Sequence, residues 1–281
     1  MTGTTAKAFS LEDVKTLRER LGTGMIDTKN ALVEAGGDIE KATEILRLKG
    51  AKGNAKRADR STSEGLVAAV DNGDGSATLI ELACETDFVA KGDRFVGLAD
   101  RVLAAVAAAR AKTVDVALVA PVGGGTVADL ISDEAAVLGE KIELRRIQLV
   151  TGAKFSIYLH KTSKDLPPQV GVVLGYDGAD EATARSVAQH ISFANPEYLA
   201  REDIPAEAVA KERALVEQIS REENLPEAAL PKIVEGRVGL FFKQVALLEQ
   251  DYVRDNKLTV GKVLSAAGIT VSAFARFKVG A

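Results

Sequence analysis

"EGLVAAVDNGDGSATLIELACETDFVAK", residues 64–91, contains the change of period that decides the fold. Its first two runs, "EGLVAAVD" (64–71) and "SATLIELAC" (76–84), have the aliphatic content of strands, and "NGDG" between them supplies the glycines of a tight reversal. Beyond "ETD" the period switches. Phe95, Ala99, Val102 and Val106 are spaced by four, three and four residues, and a run of alanines extends this helical pattern to about Lys112. A hairpin followed by a long helix places strands in blocks rather than alternating them with helices, so the fold class is α+β with mainly antiparallel pairing.

Toward the C-terminus, a turn region "APVGGG" and a helical stretch "TVADLISDEAAVLGE" close a first α+β unit over residues 63–141. A second unit, 142–281, opens with three strand-like runs, "IELRRIQLV", "KFSIYLHK" and "QVGVVLGYD", followed by the helical "DEATARSVAQHISFA". The order of sheet then helix repeats, which points to a pseudo-duplicated architecture. Within the second unit, charged helical sequence broken at Pro226 and Pro231 predicts an antiparallel helical hairpin at about 205–236 that projects from the body. A short helix and a last strand returning to a sheet complete the chain.

Toward the N-terminus, residues 1–50 read as three short helices. Ser10 and Asp13 form a capping pair, and Leu11, Val14, Leu17 and Leu21 follow at helical spacing. Met25 opens the second helix, which carries Leu32, and Asp38 caps a third whose apolar face holds Ile39, Ala42 and Leu46. A basic linker at 51–62 follows, and it belongs to the run "RLKGAKGNAKRADR". No aromatic residue is interleaved there for base stacking, so the run reads as solvated chain rather than a nucleic-acid site.

Composition narrows the functional classes. The 281 residues carry 36 Lys and Arg against 40 Asp and Glu, a net charge of −4, the wrong sign for a chain whose main task is to neutralise phosphates. The single cysteine excludes an internal disulfide, and "MTGTTAKAFSLEDV" lacks the basic start and apolar run of a signal peptide. No stretch approaches the roughly 18 apolar residues of a membrane span. The expectation is a cytoplasmic protein without membrane contact. Catalytic sets are missing: "GGGTVAD" has no lysine to reach a phosphate, and one cysteine with two histidines makes no metal set. Cys84 could act as a nucleophile with His160 or His190 as base, but it ends an apolar strand run and reads as a packed thiol, with His190 at a core edge. No cofactor and no chemistry of its own are expected.

That leaves surfaces. Phe88 lies seven positions before Phe95, in phase with a buried helix face. It also lies in a first helical turn behind the capping candidates Thr86 and Asp87, where a rigid aromatic beside an acid suits an interface anchor. Periodicity leaves both readings open.

Three motifs then carry a resemblance. "VKTLRERLGTGMIDTKNALVEAGGDIEKATEILRLKG" resembles the ubiquitin-associated-like N-terminal module of bacterial translation elongation factor Ts. "ELACETDFVAK" is similar to that family's most characteristic segment, and "EGRVGLFFKQVALLEQDYVRDNKLTV" resembles its late motif. The resemblance implies an exchange factor that binds the GDP form of elongation factor Tu. It assigns Thr86, Asp87, Phe88 and Val89 to displacement of the partner's magnesium ion. It further implies partner contacts at Arg18, Met25, Ile26 and Lys29, at Leu138 and Gly139, and at His160. Direct nucleic-acid binding is not implied, and a higher assembly of the complex is left open. Unlike some relatives, the sequence ends soon after "FARFKVG" and carries "TSKDLPP" after His160.

Overall fold

The computed structural model describes residues 9–223 and 225–281, so most of "MTGTTAKAFSLEDV", which lacks the marks of a targeting signal, lies outside the described residues. Helices α1 (Leu11–Leu21), α2 (Met25–Glu34) and α3 (Ile39–Lys56) pack around Val14, Leu17, Ala31, Leu32, Ala42 and Leu46. Ser10 and Asp13 close the expected capping box: the hydroxyl accepts the Asp13 N–H at 3.1 Å and the carboxylate accepts the Ser10 N–H at 2.7 Å. Ile39, expected on the packed face, is exposed. It is the first residue of its helix, where the packed face has not yet begun.

The expected linker at 51–62 is helix as far as Lys56. Gly50 and Gly53 weaken intrinsic helicity by about 1 kcal/mol each relative to alanine, but packing overrides them. A Cβ on Gly50 would lie 2.9 Å from the Ala136 Cβ, so the glycine permits close approach to a second helix. Asn54 fastens the extension there by donating to the Ser132 carbonyl at 2.8 Å.

The hairpin is β1 (Glu64–Asp71) with β2 (Ser76–Cys84), in register from Glu64 opposite Cys84 to Asp71 opposite Ala77. Then come α4 (Asp87–Ala90), α5 (Asp93–Ala108), α6 (Val114–Leu118), a small hairpin of β3 (Pro121–Val122) and β4 (Gly125–Thr126), and α7 (Val127–Leu138). The alanine run stops being helical at Ala108, short of Lys112, where Arg110 adopts a positive φ of 48°. β5 (Glu143–Thr151) corrects the unit boundary: it pairs antiparallel with β2, giving the order β1-β2-β5, and so belongs to the first sheet. Hydropathy identifies a strand but not its partner. β2 is buried along its whole length, and a long strand left unpaired on that side would expose a row of open backbone groups.

The second sheet has the order β10-β7-β6, built from β6 (Lys154–His160) and β7 (Val170–Asp177) and completed from the far end of the chain. Between these elements run α8 (Glu181–Ala194), α9 (Ala206–Glu222), α10 (Leu230–Val245), the hairpin β8 (Asp251–Tyr252) and β9 (Asp255–Thr259), and α11 (Val260–Ala266) before β10 (Thr270–Lys278). α9 and α10 form the projecting hairpin on Val216, Val234 and Val238. α10 continues past 236 to Val245, where Val245, Ala246 and Ile204 root it in the body.

The two sheets lie face to face over Val67, Leu79, Val150, Val173, Ala275 and Phe277, and each carries its helices on the outer side. Glu81, fully buried, belongs to this seam: its Oε2 accepts from the Arg146 Nε at 2.5 Å, and Arg146 also donates to the Lys278 carbonyl at 2.7 Å. Breaking such a buried pair typically costs about 3–5 kcal/mol. Among the described residues no helix is long and apolar enough to cross a membrane.

Candidate functional site

Strand β2 ends at Cys84, and the chain turns at once into α4. Thr86 caps that helix, its hydroxyl accepting the Val89 N–H at 3.3 Å. Four residues of helix then divide by direction. Val89, 8% exposed, and Ala90 point inward against the cluster that includes Leu66, Leu82 and Phe95. Phe88 points out and is 76% exposed. The periodicity that placed Phe88 in phase with Phe95 fails for a local reason. Gly92 takes an extended conformation (φ −74°, ψ 137°) as the cap of α5, so two helices stand where one continuous helix was expected and the seven-residue spacing carries no phase across the break.

The exposed ring has charged neighbours. Asp87 Oδ2 lies 3.5 Å from Lys91 Nζ, and that ammonium sits 5.5 Å from the centre of the Phe88 ring. Such exposed pairs contribute little to stability, but they leave an aromatic flanked by one acid and one base. Of the four residues assigned together by resemblance, Thr86, Asp87 and Phe88 are at the surface, whereas Val89 anchors the turn from beneath.

The second group lies on α1, α2 and the end of α7. Met25 and Ile26 open α2 and are exposed, as are Arg18 and Lys29. Thr23 and Gly24 of the loop before α2 line a groove together with Leu46 of α3 and Val137 of α7. Leu138 is half-buried, and Gly139 ends α7 with φ 76°, a left-handed conformation that turns the chain back toward residues 85–86. There the Glu140 carboxylate accepts the backbone N–H of Thr86 at 3.1 Å. Glu140 escaped sequence reasoning; the available signal was an acid directly after a helix-ending glycine.

His160 is more distant along the chain. It is exposed at the end of β6, its Nδ1 3.1 Å from the Tyr158 hydroxyl. Its carbonyl accepts the Gln169 N–H at 3.0 Å, Gln169 donates to Glu64 at 3.4 Å, and Glu64 pairs with Cys84 across the first sheet. It therefore joins the same end of the molecule through these contacts rather than by touching α4.

The Cys84 thiol is buried at the end of β2. Burial pushes the Cys84 thiol up to about 12, with the Glu140 charge adding to the effect, so it stays protonated at neutral pH. His190, expected at a core edge, is fully buried in the other core. It hydrogen-bonds Gln250 Oε1 through Nε2 at 2.9 Å and accepts the Val253 N–H at Nδ1 at 3.2 Å. Both ring nitrogens are thus in use far from Cys84.

Phe88, Met25 and Ile26 thus present exposed apolar side chains on the ends of short elements. Residues 85–281 match the family model described as Elongation factor TS. Over 273 residues the chain is 72% identical to Elongation factor Ts of Leifsonia xyli subsp. xyli and 70% identical to that of Clavibacter sepedonicus, covering 97% of this chain and 99% of each relative. Against Elongation factor Ts of Tropheryma whipplei the identity is 57% over 272 residues, with 97% of this chain and 98% of the relative covered. The chain belongs to the elongation factor Ts family, and so to the proteins of translation elongation.

Proposed function

We propose that this chain is the guanine nucleotide exchange factor for elongation factor Tu: it binds the GDP form and promotes release of GDP, and its replacement by GTP, by disturbing the magnesium and phosphate site. It needs no cofactor and performs no bond chemistry of its own. The observation that carries this reading is the 76% exposure of Phe88 on a turn whose next two residues are buried. A large aromatic held out on a rigid base suits insertion into another protein, since its ordering is already complete before docking.

A bound diphosphate is held by backbone amides and by a magnesium ion with near-octahedral geometry at about 2.1 Å. A wedge that shifts one supporting element by an ångström spoils that geometry. Phe88 is the wedge, and Asp87 competes for donors that orient the site. Val89 takes the thrust from below, as part of the core. Arg18, Met25, Ile26 and Lys29, with Leu138, Gly139 and His160, hold the partners in register. Because coupling between sites is reciprocal, factor and nucleotide weaken each other's binding by the same free energy.

Truncating one buried interface aromatic costs about 2–4 kcal/mol, and 2 kcal/mol of barrier is about thirtyfold in rate. Phe88→Ala is therefore expected to slow factor-stimulated GDP release at least about tenfold. Its melting temperature should stay close to the parent's, because exposed side chains contribute little to the fold. Stimulated release at the parental rate would overturn the proposal.

A further inference from the structure

Two carboxylates fasten the root of the Phe88 turn, and neither is explained by docking. Glu140 Oε2 accepts two consecutive backbone N–H groups, Glu85 at 3.0 Å and Thr86 at 3.1 Å, while its Oε1 accepts the Thr86 hydroxyl at 2.5 Å. Glu85 returns the contact: its Oε1 accepts the Lys141 N–H at 2.6 Å, and its Oε2 lies 3.2 Å from Arg60 Nη1. Lys141 closes the ring by donating from Nζ to the Arg60 carbonyl at 3.1 Å. Residues 85–86 and 140–141 are thereby cross-linked in both directions, with the Glu85 side chain only 17% exposed.

The Thr86 hydroxyl has one proton and two lone pairs. Giving the proton to Glu140 aims the lone pairs, and one of them takes the Val89 N–H that caps α4. The carboxylate thus selects the Thr86 rotamer in which the cap is made, and the cap sets the direction of the four-residue helix carrying Phe88. Gly139, left-handed at φ 76°, is what brings Glu140 to this position.

We propose that Glu140 is a positioning residue for nucleotide exchange: through Thr86 it holds the Phe88 turn in its working direction, and it does not itself need to touch the partner. This rests on the reading that Phe88 acts on elongation factor Tu. It also gives the 138–139 segment a role besides contact, since that segment delivers Glu140.

Two measurements test it, one without any partner. In the free, full-length protein, Glu140→Ala should accelerate hydrogen exchange at the Glu85 and Thr86 amides at least tenfold, leaving the interior of β2 protected; unchanged exchange at those two amides would overturn the clamp. With elongation factor Tu bound to GDP, the stimulated release rate is followed against factor concentration for the parent, Glu140→Ala, Phe88→Ala and the double variant. Glu140→Ala should lower the maximal rate at least fivefold and move the half-saturating concentration less than twofold. The double variant should be no slower than Phe88→Ala alone, and Glu140→Gln, which keeps one acceptor oxygen, should recover part of the rate. Additive losses in the double variant, or a raised half-saturating concentration at full maximal rate, would mean that Glu140 acts independently or only as a contact, and would overturn the proposal. If Phe88→Ala itself stimulates release at the parental rate, the exchange reading fails while the amide measurement still decides the clamp.

Discussion

Phe88 and Val89 are neighbours with opposite fates, and the difference lies in the length of the helix that carries them. In a turn of four residues, one side chain faces the core cluster of Leu66, Leu82 and Phe95 and the next is left in solvent. Composition and spacing could reach the alternatives for Phe88 but could not choose, because the choice depends on whether helix continues through Lys91 and Gly92. The packed reading of Cys84 was legible, since the residue closes an apolar strand. Its environment gives a direct prediction. Raising the thiol from its ordinary value near 9 to about 12 leaves, at pH 8, on the order of a thousandfold less thiolate than in the unfolded chain. Thiol titration at pH 8 should therefore show labelling only after denaturant is added, and prompt labelling of the native protein would contradict the burial. Because the folded value is raised, the contribution of the thiol to stability is complete below about pH 9 and is lost as pH climbs toward 12.

Elements whose signals are local were legible, and those settled by partners were not. The capping box of α1, the Asp38 cap and the β1–β2 reversal depend on residues within a few positions of one another, and they form as expected. The assignment of β5 to the first sheet, the extension of α3 through two glycines and the depth of His190 depend on residues far away in sequence. His190 offers a test of such distant packing. It joins α8 to the segment leading into β8, and burial holds its imidazole below the ordinary value of 6.5, against a smaller opposing effect of the Gln250 hydrogen bond. Protonation would also remove the acceptor of the Val253 N–H. With the folded value depressed, the contribution is present above about pH 6.5 and is lost as pH falls through the folded value. Denaturant unfolding at pH 7.5 and 5.5 should show the parent losing more stability than His190→Gln, by up to about 1.4 kcal/mol per pH unit. Equal losses in the two proteins would refute it.

Two sheets packed face to face form the centre of the molecule. The two sheets share a seam over Val67, Leu79, Val173 and Phe277 that the Glu81–Arg146 pair joins, while α4 rests on the neighbouring cluster of Leu66, Leu82 and Phe95. The doubled order of sheet and helix was readable from the chain, whereas the seam was not, since the residues that build it look like any strand interior. The same distinction holds for the candidate site: motifs marked α2, α4 and the end of α7, but only three-dimensional packing shows that Glu140 and Glu85 fasten one to another. If Phe88 acts against the magnesium site of its partner, the benefit of the aromatic must vanish when the ion is already gone. The decisive measurement is the ratio of GDP release rates stimulated by the parent and by Phe88→Ala, first in millimolar magnesium and then in excess chelator. We predict a ratio of about ten or more with magnesium, collapsing toward one without it; a ratio that stays the same in both conditions would contradict the mechanism.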